Sequence, residues 1–236
     1  MDVVPVVLVL LFLAVPAAFI GLAVWLVVHQ QRRARERQES LASYAAKREW
    51  RWSPVGTGLE SRFRGDPFGR GHRRSASNVV EGWHAGRAFV AFDYRYWTSG
   101  GQDSGDDRHD FSVLCVHLGD LPPVPMVQVA PQGALGRFFR GAFGNPFRTG
   151  DPVFDQRFHV RTHSPELAHD LLHLDMRMML AAYQGRAWRL EGDSLVTFRA
   201  GSHGPGEIDA VLGFMGAILD RVPEHAWTRL GRRPVT

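Results

Sequence analysis

Hydrophobic positions along this chain follow three different rhythms. From Val3 to Val28 they are continuous, 26 residues without a charge. As a helix this stretch is about 39 Å long, which exceeds a hydrocarbon core of about 30 Å. It predicts a transmembrane helix. From Ser75 onward the rhythm changes to period two. SASNVVEGW and RAFVAFDYRYW alternate, with Phe89, Ala91, Asp93 and Arg95 on one side and Val90, Phe92, Tyr94 and Tyr96 on the other. That alternation predicts strands, joined by a turn at His84-Ala85-Gly86. From Ser164 the period becomes that of a helix.

Smaller signals fill in the order. SLASYAAKREW, from Ser40, is rich in helix formers. Trp50 to Ser53 is predicted as a short strand ended by Pro54, and Phe111 to Leu118 as another. The prolines at 122, 123 and 125 lack donors and exclude a central strand there; Met126 to Ala130 follows as a short one. Phe154 to Arg161 is predicted as a strand. Ser164 then caps a helix, with Pro165 at its first position and Glu166 suited to its dipole, running to about Tyr183. Ala187 to Leu190 and Leu195 to Arg199 form a hairpin. Glu207 to Val222 is the last helix, its stripe being Ile208, Val211, Leu212, Met215, Ile218 and Leu219. The predicted fold class is α+β: one N-terminal transmembrane helix, then a mainly antiparallel β domain ending in a helix–hairpin–helix. The predicted divisions are a transmembrane signal anchor over 1–29, a basic juxtamembrane linker over 30–40 and a soluble α+β domain over 41–236.

Charge refines the first segment. No basic residue precedes the apolar run, and the run is too long for a cleaved signal peptide. Arg32, Arg33, Arg35 and Arg37 follow it directly. The excess of positive charge predicts an uncleaved single-pass anchor in the cell membrane, N-terminus out and the C-terminal domain cytoplasmic. The same arginines suit an anionic leaflet, so the lipid bilayer is the first expected partner. A formal charge of +4 over 236 residues, without a block of like charge, gives no case for nucleic acid. The single cysteine, Cys115, excludes an internal disulfide and sits in the apolar run FSVLCVHL as a small buried thiol.

Candidate chemistry is sparse. His169 and His173 stand four apart on the predicted helix with Asp170 between them, a spacing that can ligate zinc. The apolar positions Leu167, Leu171, Leu174 and Met178 define the buried face and leave both histidines on the opposite one, with Asp175 inside the apolar stripe. Gly192-Asp193-Ser194-Leu195 spells a lipase signature, but it comes too near the end of the chain and reads as a hairpin turn. No phosphate-binding glycine motif is present, and no catalytic residue, metal site or cofactor is predicted. The stretch from Leu135 to Phe154 interleaves phenylalanine with arginine. Arg137, Phe138, Phe139 and Arg140 there, with the four juxtamembrane arginines, are the predicted membrane-surface residues.

The charge-free N-terminal run, the arginine flank, F-x-G-x-P-F at Phe63 to Phe68, G-x-x-x-G-R-x-F-x-x-F-x-Y at Gly82 to Tyr94 and the late helix–hairpin–helix together resemble uncharacterised single-pass membrane proteins of GC-rich bacteria. That resemblance implies location and no chemistry. The expected function is a membrane-anchored, non-catalytic module binding the membrane or an unidentified protein partner. The alternative is a metal-dependent hydrolase using His169 and His173.

Overall fold

The period-two segments form one antiparallel sheet of eight strands. The structure is a computed structural model describing residues 3–100, 105–132, 146–183 and 186–231; the side chains of 3–21, 23, 24 and 27 lie outside the description. The strands are β1 (Arg51–Gly56), β2 (His72–His84), β3 (Arg87–Thr98), β4 (Asp107–His117), β5 (Val124–Pro131), β6 (Phe158–Thr162), β7 (Ala187–Gly192) and β8 (Ser194–Ala200). Their order is β1-β2-β3-β4-β8-β7-β5-β6. The late β7–β8 hairpin is thus inserted between β4 and β5. Pro125 lies within β5, an interior strand, at a register shift between Val124 and Val127. A bulge is where an interior strand tolerates a missing donor.

Helices cover one face. They are α1 (Val3–Lys47), α2 (Leu59–Arg62), α3 (Pro152–Arg157), α4 (Pro165–Leu171), α5 (Leu174–Ala182), α6 (Glu207–Asp220) and α7 (Glu224–Arg229). All except α2 contribute to a core against Val80, Phe89, Ala91, Leu114 and Trp188. The complete apolar stripe predicted for the last helix is buried there. The C-terminal end of α1 inserts Leu41 and Ala45 into the same core. On the other face Val90, Phe92, Tyr94, Tyr96, Val113 and Phe198 form a second core. Its cover is a strap, residues 57–71, which contains α2 and contributes Phe63 and Phe68. The alternation read from β3 separates the two cores, Phe89 and Ala91 in one and Val90, Phe92, Tyr94 and Tyr96 in the other.

The transmembrane expectation is corrected. Among the described residues no helix is long and apolar enough to cross a membrane. This overturns the transmembrane helix in the expected fold class, the single-pass signal anchor and the N-out, domain-in location at the cell membrane. A span needs about 20 consecutive apolar residues. The described side chains of α1 supply Leu22, Trp25, Leu26 and Val28, after which come His29, Gln30 and the arginines. The helix continues unbroken through Arg32 to Arg37 and ends in the domain core.

Two local expectations also change. Phe154 to Arg161 divides into α3 and β6, because Asp151 accepts from the N–H groups of Val153 and Phe154 and Pro152 starts a turn of helix. The helix predicted from Ser164 to Tyr183 is two helices, broken at Leu172 and His173. Beyond the break Leu174 and Met178 are exposed, and so is Asp175, which pairs with Arg221 at 3.0 Å.

Candidate functional site

The strap-covered face carries the candidate site, because the strap is narrower than the sheet. Where it stops short of β1 and β2, a cleft of about 510 Å³ opens over β2, β3 and β4. Its floor is Ala88, Val90 and Cys115; Arg51, Glu81, Trp83, Arg62 and His117 rim it. Pairing in register places Arg51, Glu81, Val90 and Cys115 in one row across four strands. Trp83 follows Glu81 on the same side of β2, and its indole is 70% exposed.

The polar groups of this cleft are already arranged among themselves. Arg51 donates to Glu81 across the β1–β2 pair, its Nε at 3.0 Å. His117 accepts the Gly119 N–H at Nδ1, 3.0 Å away, so its other nitrogen carries the proton toward the Asp193 carboxylate at 3.2 Å. Ser194 donates its hydroxyl to the other Asp193 oxygen at 2.5 Å. That hydrogen bond is the foremost cause holding the Asp193 carboxyl below its usual range. Cys115 lies at the floor, and burial pushes its thiol up to about 11.

These contacts decide what the cleft can do. Of the neighbouring serine, aspartate and histidine only His117 lines the cleft, and the Asp193 carboxylate lies between Ser194 and that histidine. In a nucleophilic triad the imidazole must stand between them to take the proton. Here the imidazole spends one nitrogen on a backbone N–H and the other on the carboxylate. The thiol is held protonated at neutral pH, and the thiolate is the nucleophilic form. Gly192-Asp193-Ser194 is the β7–β8 turn, with Ser194 buried.

A second polar cluster fixes α1 to the helix-covered face. Arg37 forms a two-pronged pair with Asp93, at 2.7 and 3.0 Å, and also donates to the carbonyl of His203. Asn78, at a bulge in β2 with positive φ, donates to the same carboxylate at 2.8 Å. His203 is buried, its Nε2 on the Val113 carbonyl and its Nδ1 without a partner among the described residues. Burial pushes its pKa down to about 4.

The residues singled out from sequence distribute unevenly. Arg32, Arg33 and Arg35 are exposed on α1, whereas Arg37 is engaged as just described. Arg137, Phe138, Phe139 and Arg140 lie outside the described residues. His169 lies in α4 and His173 at the α4–α5 break, so they do not share one helix; His169 is exposed and His173 bonds the Arg221 carbonyl at 2.9 Å. Among the described residues no three potential ligands converge as a metal site. Sequence reasoning missed Trp83, Arg51 and His117. Only Trp83 carried a local signal, an indole just before a hairpin turn on the same strand face as the polar Glu81.

No protein-family model matches the chain, and no curated protein matches it. Among solved structures, the crystal structure of the mycobacterial trehalose monomycolate transport factor A, TtfA, is similar. The identity is 13% and the TM-score 0.56, over 80% of this chain and 97% of that one. At that identity the likeness concerns the fold.

Proposed function

We propose that this chain is a non-catalytic binding module, an accessory of a transport process, which engages a protein partner through the cleft beside Trp83. The observation that carries this reading is the cleft itself. It joins an exposed indole and two arginines to an apolar floor, while its histidine is committed to structural contacts and its thiol is held protonated. Tryptophan and arginine are the residues that most often anchor protein interfaces. The similar fold of a transport factor supports an accessory role over an enzymatic one.

A photo-crosslinking amino acid at position 83 tests the reading in the full chain, expressed in its native cells. Val153, equally exposed on α3, is the control position. A discrete protein adduct at 83 that is missing at 153 is the expected result. No adduct at 83, or the same adducts at both positions, would overturn the proposal.

A further inference from the structure

On the helix-covered side, the end of α5, the first turns of α6 and the open end of the β7–β8 hairpin frame a recess of about 180 Å³. Drug-sized ligand sites start at about 300 Å³, so this one suits a smaller molecule. One wall is apolar. Tyr183, which ends α5, stacks on Phe214 of α6 with ring centroids 4.8 Å apart, and Ala210 continues the wall. Phe214 is buried, whereas Tyr183 is half exposed.

The other wall is charged. Ala187 pairs with Phe198, which brings their neighbours Arg186 and Arg199 together at the open end of the hairpin. Both guanidinium groups converge on one carboxylate oxygen of Glu207, in the first turn of α6. Arg199 donates to it at 2.5 Å and Arg186 at 3.5 Å. The other Glu207 oxygen accepts the Gly204 N–H at 2.9 Å. Two positive charges thus face one negative charge, and no second carboxylate lines the recess among the described residues. Nη1 of Arg186 and Nε of Arg199 are buried without a hydrogen-bond partner among the described residues. Buried polar groups nearly always have one, so this pair is short of acceptors. Burial, and after it the charge of Arg199, pushes the Arg186 pKa down to about 10, which leaves it charged at neutral pH. Arg199 keeps 40% of its side chain exposed and gives Glu207 one terminal nitrogen, so its guanidinium is open to an incoming anion.

We infer that this recess binds a small aromatic monocarboxylate, its carboxylate held by Arg199 beside the buried charge of Arg186 and its ring laid against Tyr183 and Phe214. The charge count selects a monoanion. One further carboxylate balances the second guanidinium, whereas a phosphate dianion overshoots next to Glu207. Guanidinium and carboxylate match in shape as well as charge, and aromatic rings gain from offset or edge contact beyond the area they bury. The recess lies on the opposite side of the sheet from the cleft beside Trp83 and does not depend on it.

Binding is read on the full chain by ligand-observed NMR. Phenylacetate is the probe; phenylacetamide, acetate and inorganic phosphate are the comparisons. Arg199→Gln removes the accessible charge and Tyr183→Ala the exposed ring, while Arg87→Gln, outside the recess, is the control. Phenylacetate is expected to bind the parent and the control saturably, with phenylacetamide and acetate at least tenfold weaker and phosphate weaker too. Loss of the charged donor is expected to weaken Arg199→Gln by about tenfold or more, and Tyr183→Ala several-fold, each with an unchanged circular dichroism spectrum. If Arg199→Gln does not fold, Tyr183→Ala and the phenylacetamide comparison decide by themselves. The inference is overturned by no saturable binding to the parent, by equal binding of the amide or of acetate, by tighter binding of phosphate, or by unchanged affinity in either folded variant.

Discussion

The helix-covered and strap-covered faces of the sheet are built on the same strands, since successive side chains alternate sides, yet they are finished differently. On one face six helices close over a continuous apolar core. On the other, a strap of irregular chain crosses the middle and stops. Strands lie about 4.8 Å apart, so eight of them make a sheet about 34 Å wide. Residues 57–71 can cover only its centre, where Phe63 and Phe68 stack on Phe92, Tyr94 and Phe198. Both ends are left as recesses. One face is closed over a core, and the other is left with open recesses at its ends.

The largest expected effect tests the first half of that contrast. Leu212→Ala, on α6 in the helix-covered core, should cost about 2–5 kcal/mol by denaturant unfolding, with both recesses unchanged in the folded protein. A cost below about 1 kcal/mol would mean that this face is not the principal source of stability.

A somewhat smaller effect concerns the polar end of the same face, where α1 is fastened. His203 has its pKa pushed from 6.5 down to about 4 by burial. The native state therefore holds this imidazole neutral while the unfolded chain protonates it. The sign follows: stability is full above pH about 6.5 and declines as pH falls toward 4, as the unfolded state gains protons that the native state refuses. The whole decline attributable to this group is about 3 kcal/mol. Urea unfolding from pH 7.5 to 4.5 reads it. In His203→Gln that part of the slope should vanish, and an unchanged slope would place the acid sensitivity elsewhere.

The legibility of this chain followed the same division. Alternation along β3 correctly separated the two cores, and the spacing of α6 gave its buried stripe except Phe214. Both depend on regular periodicity within one element. The break at Leu172 and His173 was hidden because apolar residues continue at helical spacing on both sides of it; Arg177 bonds back to the Leu172 carbonyl and to Asp151, contacts that no periodicity reveals. Asp151-Pro152 carried the same cap signal as Ser164-Pro165, so α3 was readable and overlooked. The candidate sites are of another kind. Arg51, Glu81, Val90 and Cys115 are far apart in sequence and meet in one row only because four strands pair in register. Likewise Arg37 gave no sign that it leaves the exposed arginine cluster to reach Asp93, because that contact depends on the bulge at Asn78. At the N-terminal end, continuous hydropathy predicts a membrane span, and among the described residues no helix is long and apolar enough to supply one.

The smallest expected effect on stability bears most directly on the second half of the contrast. If the strap-covered face keeps its ends open for binding, residues at its rim should be nearly neutral for folding. Trp83 is the sharpest case. Its neighbours in the cleft, Arg51 and Glu81, are satisfied by each other, and Ala88 faces it across the β2–β3 pair with little side chain to pack. Truncating an indole normally costs about 3–5 kcal/mol when it is core. At 70% exposure, Trp83→Ala should change the unfolding free energy by no more than about 0.5 kcal/mol. A cost of several kcal/mol would mean that the indole holds the β2–β3 hairpin in place, and the cleft would then be a by-product of packing. A near-zero cost leaves a large aromatic side chain that the fold does not need, held at the mouth of a cleft that the strap does not close.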